Sequence, residues 1–380
     1  EALKDPNCTL TALKLEQNNI GHAGAKALAE ALKINKTLTS LNLPGNNISN
    51  AGAAALAEAL KTNTTLTSLY LRFNNIGDAG AIALAEALKT STTLTFLCLS
   101  NSNIGPKAAM ALAEALKTNT TLTSLHLSWN NIDPKGAMAL ANALEDPNCR
   151  LTALKLAQNN IGDAGATVLA EALKINRTLT SLSLWGNNIG PEGAIALAEA
   201  LEDPNCTLTY LYLSSNNIGT EGAQALAEAL KTNTTLTFLY LPSSNIDSNT
   251  QTILFEAVLA CAQKGRLIEI PDMFGETQKQ AIQDTYQDVM TTKSHQRLAL
   301  ATALCSFSSR SLIHLLISDL LRWIAEISTT PSDDVLDRFK SEQANITHPL
   351  PSTVLNQARP CTANRATERS QSHLKRLKSQ

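Results

Sequence analysis

Between residues 10 and 249 the chain repeats itself, and that constrains its fold more than any other feature. Leu10, Leu38, Leu66, Leu94 and Leu122 recur every 28 residues. Leu151, Leu179, Leu208 and Leu236 continue the series, with steps of 29 where an Asp-Pro-Asn-Cys loop adds a residue. Each unit opens like Leu66-Thr67-Ser68-Leu69-Tyr70-Leu71, whose alternating leucines predict a short strand with one buried face. An alanine-rich stretch with helical spacing follows, such as Asp78 to Lys89. One strand and one helix cannot enclose a core alone, so the units must stack.

The copied residues say what holds the stack together. The ninth position of the unit is Asn18, Asn46, Asn74, Asn130, Asn159, Asn187 or Asn216, with Ser102 and Ser244 as substitutes. An amide both donates and accepts, so it can satisfy turn backbone that stacking would bury unpaired. In the helical stretch Ala81, Leu84, Ala85 and Leu88 should point inward, with Glu86 and Lys89 in solvent. Asp78 is expected to cap its own helix, and Pro106, Pro134 and Pro191 suit a first turn. Aromatics are 4% of the chain against 44% hydrophobic residues, so the core must be aliphatic.

This motif resembles the leucine-rich repeats of ribonuclease inhibitor, the Ran GTPase-activating protein and the NOD-like receptors, over about two-thirds of the chain. The resemblance implies an α/β fold, a right-handed leucine-rich-repeat solenoid in which a parallel sheet lines the inside of a horseshoe and helices the outside. Residues 1–270 should hold nine complete repeats and partial end units, with Leu267 to Ile270 as a closing strand. Residues 271–329 are expected to be a helical cap or small helical domain, with helices at 277–309 and 311–328. Residues 330–380 are expected to be a disordered, solvated tail, basic through Arg359, Arg365, Arg369, Lys375, Arg376 and Lys378. The chain opens in mid-repeat, so an upstream module is an open expectation.

Several function classes are disfavoured. A net charge of -2 gives no case for nucleic acid or an anionic membrane. The apolar stretch Leu312 to Ile327 carries His314, Asp319, Arg322 and Glu326 and does not suit a membrane span. No basic-then-apolar leader opens the chain, so a cytoplasmic location is expected, including that of an effector acting in a host cytosol. Cys149 and Cys206 lie two repeats apart, roughly 10 Å at strand spacing, so they read as buried thiols. Asn35-Lys36-Thr37 and Asn63-Thr64-Thr65 match the glycosylation pattern only because one loop is copied. Phosphate-loop, dinucleotide and metal-ligand motifs are absent, so neither cofactor nor metal is expected. Cys98 and His126 should emerge roughly 5 Å apart, but no acid is placed to orient His126, so catalysis is not expected.

The positions that vary between repeats are more informative. Solvent-facing strand and turn positions hold Lys14, Glu16, Tyr70, Arg72, Phe73, Phe96, Cys98, His126, Trp129, Lys155, Trp185, Tyr210, Tyr212, Phe238 and Tyr240. Every Phe, Tyr and Trp of residues 1–249 is in this set. Tyr70, Phe73, Phe96, His126 and Trp129 should form one patch, and Trp185, Tyr210, Tyr212, Phe238 and Tyr240 a second. Exposed aromatic area implies a covering partner, and Tyr, Trp and Arg are favoured anchors. The expectation is a monomeric protein-binding scaffold that uses its concave face, as the sensor or targeting arm of a larger or effector protein. A GTPase activator like the Ran protein is the alternative, weakened by the basic tail and by Arg72 being the sole arginine of the face. Ribonuclease inhibition would need an acidic face, and Glu16 is the only acid there.

Overall fold

A computed structural model of the protein describes residues 2–241, 246–270 and 273–305, with side chains to Lys293. Its strands are Ala12–Lys14 (β1), Ser40–Asn42 (β2), Ser68–Tyr70 (β3), Phe96–Cys98 (β4), Ser124–His126 (β5), Ala153–Lys155 (β6), Ser181–Ser183 (β7), Tyr210–Tyr212 (β8) and Phe238–Tyr240 (β9). The helices between them are Gly21–Leu32 (α1), Asn50–Leu60 (α2), Gly77–Leu88 (α3), Pro106–Leu116 (α4), Pro134–Leu144 (α5), Gly162–Ile175 (α6), Pro191–Glu202 (α7) and Gly219–Thr232 (α8). Ser248–Gln263 (α9) and Glu276–Cys305 (α10) follow. The chain divides into two compact units, Glu1–Val258 with Ile268–Phe274, and Leu259–Leu267 with Gly275–Gln380.

In the first unit all nine strands form one parallel sheet in chain order. The central leucines pair in register, Leu41 with Leu69 and Leu97 with Leu125, and are fully buried. Ala81, Leu84, Ala85 and Leu88 of α3 are buried as expected, while Glu86 and Lys89 form an exposed 2.7 Å ion pair. Small residues let the helices approach closely. A Cβ on Gly80 would lie 3.0 Å from the Ala53 methyl and 3.0 Å from Asn50 Cα of the preceding helix. A helix is roughly 10 Å wide and a strand spacing roughly 4.8 Å, so the sheet takes the tighter side of the stack.

The ninth-position asparagines form the expected ladder. Asn74 is 4% exposed; its Oδ1 accepts from the Asn46 and Ile48 amides of the preceding repeat. Its Nδ2 donates to Leu43 O in that repeat and to Leu71 O and Arg72 O in its own. Asn130 and Asn216 repeat the pattern. Ser102 reaches only two carbonyls, each at 3.4 Å. Ser244 lies outside the described residues.

A second ladder was not foreseen. Asn35, Asn63, Asn119, Asn176 and Asn233, in the loop after each helix, are buried as well. Asn63 Nδ2 donates to Leu32 O, while its Oδ1 accepts from the Thr65 and Leu66 amides. The Asn-x-Thr loops at these five positions are therefore structural, with their amide nitrogens committed to the preceding repeat.

Asp78 corrects a sequence expectation. The residue preceding α3 is Ile76, with no side-chain cap, and the Asp78 carboxylate instead accepts from Gly105 N at the start of α4. Asp163 likewise accepts from Gly190 N and Gly193 N of the next repeat. Each aspartate is the second residue of its helix, past the capping position, and its carboxylate reaches the amides at the N-terminal end of the adjacent helix. Asp133, by contrast, caps its own α5 through Gly136 N.

The closing strand is reduced to one bridge. Glu269 pairs with Phe238, while Ile268 and Ile270 are buried and Leu267 is exposed. Phe274 meets Phe255 edge-on at 5.7 Å. In the second unit α10 matches the helix expected at 277–309. The helix expected at 311–328 and the basic tail lie outside the described residues.

Ser91 occupies the second ladder's place between Asn63 and Asn119, and its buried hydroxyl has no partner. Ser91→Asn should restore the missing bonds and stabilise the protein by about 1 kcal/mol, read as a raised melting temperature. A lowered melting temperature would show that the ladder does not carry stability at this rung.

Candidate functional site

Each strand is three residues long, so its central leucine enters the core and its two neighbours face solvent. A second leucine and a two-residue turn follow. The second turn residue is left-handed repeat after repeat: Gln17 (φ 56°), Gly45 (63°), Phe73 (56°), Asn101 (51°), Trp129 (60°), Gln158 (52°), Gly186 (64°) and Ser215 (53°). That backbone costs a side-chain-bearing residue roughly 1–2 kcal/mol. Phe73 and Trp129 occupy it with 53% and 51% of their surface exposed. The sequence carried a signal for this strain, because glycine stands at the same repeat position in Gly45 and Gly186.

The rings form two rows that differ from the expected patches. In the first, Tyr70 and Phe96 lie 4.5 Å apart, and Phe96 meets the His126 edge at 4.7 Å. Trp129 was expected in this row but belongs to the second, with its indole 5.5 Å from Trp185. The intervening repeat presents only the methyl of Ala157, which is 7% exposed, and Gln158 lies over the bare Cα of Gly186. The two indoles therefore meet across a repeat. The row continues from Trp185 to Tyr212 at 6.5 Å and from Tyr212 to Tyr240 at 4.6 Å. Tyr210 stacks on Phe238 at 4.4 Å and meets Tyr212 edge-on. Trp185 Nε1 donates to Ser215 Oγ at 2.7 Å. Phe73 stands apart with the Arg72 guanidinium 5.5 Å from its ring.

Cys98 is a second correction. It is 5% exposed and sits in register between Tyr70 and His126, whose larger side chains stand above its short thiol. It contributes to the floor of the face and not to its contact surface. Its thiol lies 3.6 Å from Ser100 Oγ, while His126 Nε2 is 3.2 Å from Ser124 Oγ. Register neighbours though they are, each is turned to a serine of its own repeat.

Next to His126 in register stands Lys155. Its ammonium donates to Ser181 Oγ at 3.0 Å and lies 4.7 Å from the Tyr210 ring centroid. Burial lowers its pKa. Among the described residues no group of His, Cys, Asp or Glu is placed to hold a metal, and no helix is long and apolar enough to cross a membrane.

The family described as Leucine Rich repeat matches eight times, at residues 7–29, 35–57, 62–85, 90–113, 118–141, 148–170, 176–198 and 205–227. No curated protein sequence matches the chain. Similar solved structures include the leucine-rich repeat-containing protein LegL7 from Legionella pneumophila, at 23% identity and TM-score 0.45, covering 66% of this chain and 81% of that one. Leiomodin-1 actin-binding site 2 is 24% identical with TM-score 0.32, covering 47% of this chain and 88% of that one. The tropomodulin C-terminal domain of Caenorhabditis elegans is 18% identical with TM-score 0.32, covering 40% and 92%.

Burial, helped by the nearby Lys155 charge, lowers the His126 pKa from 6.5 to about 4. The folded protein thus holds a neutral imidazole where the unfolded chain protonates more readily. The associated stability is complete above pH 6.5 and is lost as pH falls towards about 4. Thermal unfolding across that window should destabilise wild type more steeply than His126→Gln. Parallel profiles would show that the imidazole is not held neutral in the fold.

Proposed function

The chain belongs to the leucine-rich-repeat family, and on that premise we propose that it is a protein-binding scaffold whose working surface is the solvent face of the sheet. One observation carries the proposal. All nine Phe, Tyr and Trp residues of residues 1–249 are placed on or beside that face, and none fills the repeat core. Phe73 and Trp129 are held half exposed in a backbone conformation that glycine would adopt without strain. Neither core packing nor solubility accounts for bulky apolar rings at those positions, whereas partner binding does.

Mutual stacking of the rings supports the proposal. Rings already held by their neighbours lose little conformational freedom on binding, so less of the interaction is spent on ordering them. Nine strands at about 4.8 Å span roughly 40 Å, enough for one side of a standard interface. Arg72 and the tyrosines add the polar handles common at binding anchors. The binding role of Cys98 is withdrawn on its burial, while Tyr70, Arg72, Phe73, Phe96, His126, Trp129, Lys155, Trp185, Tyr210, Tyr212, Phe238 and Tyr240 remain the proposed surface.

The test separates binding from folding. Trp129→Gly removes an indole but relieves left-handed strain, so its unfolding free energy should stay within about 1 kcal/mol of wild type. Its cost to partner binding should be about 2 kcal/mol or more, as should that of Tyr212→Ala. Leu125→Ala, buried beneath the same face, should instead destabilise by about 2–5 kcal/mol. Partners recovered with the full chain from cell lysate should be lost with the first two variants. If both variants retain them, the sheet face is not the working surface.

A further inference from the structure

From β3 to β9, no aspartate or glutamate occurs in the strands or among the described residues of the turns that follow them. The same stretch carries two cations, Arg72 and Lys155, and Lys14 lies beyond it in β1. Glu16, towards the N-terminal end, already accepts from Asn42 Nδ2. Glu269 lies at the other edge, beside Phe238.

Lys155 is the unusual one. It is half-buried among the rings, and Tyr210 and the Ser181 hydroxyl are its neighbours on one side. On the other side stands His126, a neutral imidazole. Among the described residues it has no carboxylate partner. Desolvating an ammonium without a counter-charge is unfavourable. The repeat pattern does not require lysine there, since Asn42, Tyr70, Ser183 and Tyr212 hold the same position in other repeats, although Lys14 also stands at it in β1. Ala153 and Ala157 flank it on its own repeat, so the charge stands in a low place between taller aromatic rows.

We propose that the face takes an acidic segment of a partner protein, with an Asp or Glu side-chain carboxylate seated on Lys155 and apolar side chains laid across the flanking rings. This rests on the sheet face being the protein-binding surface and adds the partner's chemistry. Charge complementarity carries the choice: a stretch from β3 to β9 with two cations, no acid among its described strand and turn residues, and aromatic walls fits an anionic, apolar-rich segment and rejects a basic one. The carboxylate completes the hydrogen bonding of the ammonium and supplies the counter-charge that the fold omits. Lys155→Met should therefore leave the melting temperature unchanged or raise it, because one hydroxyl and one ring face are all that offset the ammonium's desolvation.

The experiment uses the full chain and a random peptide display library with amidated C-termini, selected in parallel on wild type, Trp129→Gly, Lys155→Gln and Lys155→Arg. Peptides retained by wild type should be enriched in Asp or Glu beside aliphatic or aromatic residues. Replacing that acid by its amide should weaken binding to wild type by about tenfold or more, but hardly alter binding to Lys155→Gln. Lys155→Arg should keep the acidic preference. Peptides that need Trp129 but show no acidic preference would overturn this inference and leave the protein-binding face standing. Binding only by peptides with a free C-terminal carboxylate would also overturn it. Peptides retained equally by Trp129→Gly, or no retention by wild type, would overturn the face itself.

Discussion

Stacking repeats side by side buries two turns per repeat, one after the strand and one after the helix. Their backbone amides and carbonyls must then be paired inside the protein, because unpaired buried groups cost more than the packing around them returns. An asparagine in each turn solves the problem. Asn74 serves the first turn and Asn63 the second, each bonding backward into the preceding repeat. The ladders thus tie neighbours together in the same step that satisfies the turns. They also fix the period, since an amide reaches its partners only if every repeat returns to register. Where Asp146 and Asp203 stand, the extra residue is taken up by a turn in which the aspartate accepts from the amide two residues on.

With leucine and alanine filling the core and asparagine holding the turns, the scaffold makes no demand on the solvent face of the sheet. Strand spacing then organises whatever stands there. Side chains in register come from backbones roughly 4.8 Å apart, which is also a favourable distance between aromatic rings. Tyr210 with Phe238 and Tyr212 with Tyr240, register pairs at 4.4 and 4.6 Å, follow from that spacing, whereas Tyr70 reaches diagonally to Phe96 past its own register partner Cys98. The face is therefore ordered before any partner arrives. The ammonium of Lys155 stands between the rows and, with Arg72, charges the face from β3 to β9.

Much of the fold was legible in the residues. The leucine period gave the parallel register, the alanines gave the buried helix stripe, and Asn74 and its equivalents could be assigned to the turns from their chemistry. The Asn-x-Thr loops were copied as faithfully as the leucines, yet their role was missed. A surface loop and a buried rung look alike in sequence when both are polar. The candidate face was also legible, because residues free to vary between copies are those the scaffold does not use.

What the sequence determined by itself was the local and periodic part: which residues face inward, which turns need an amide, and where aromatic side chains emerge. Tertiary structure decided the rest, because those outcomes depend on how far a side chain reaches into the next repeat. Asp78 caps α4, one repeat on, because close helix packing brings that amide to its carboxylate. Trp129 joins Trp185 because Ala157 leaves the space between them open. Cys98 is buried because its neighbours in register are taller. Periodicity places each residue on a face, but only the assembled stack sets the heights and gaps that decide what it touches.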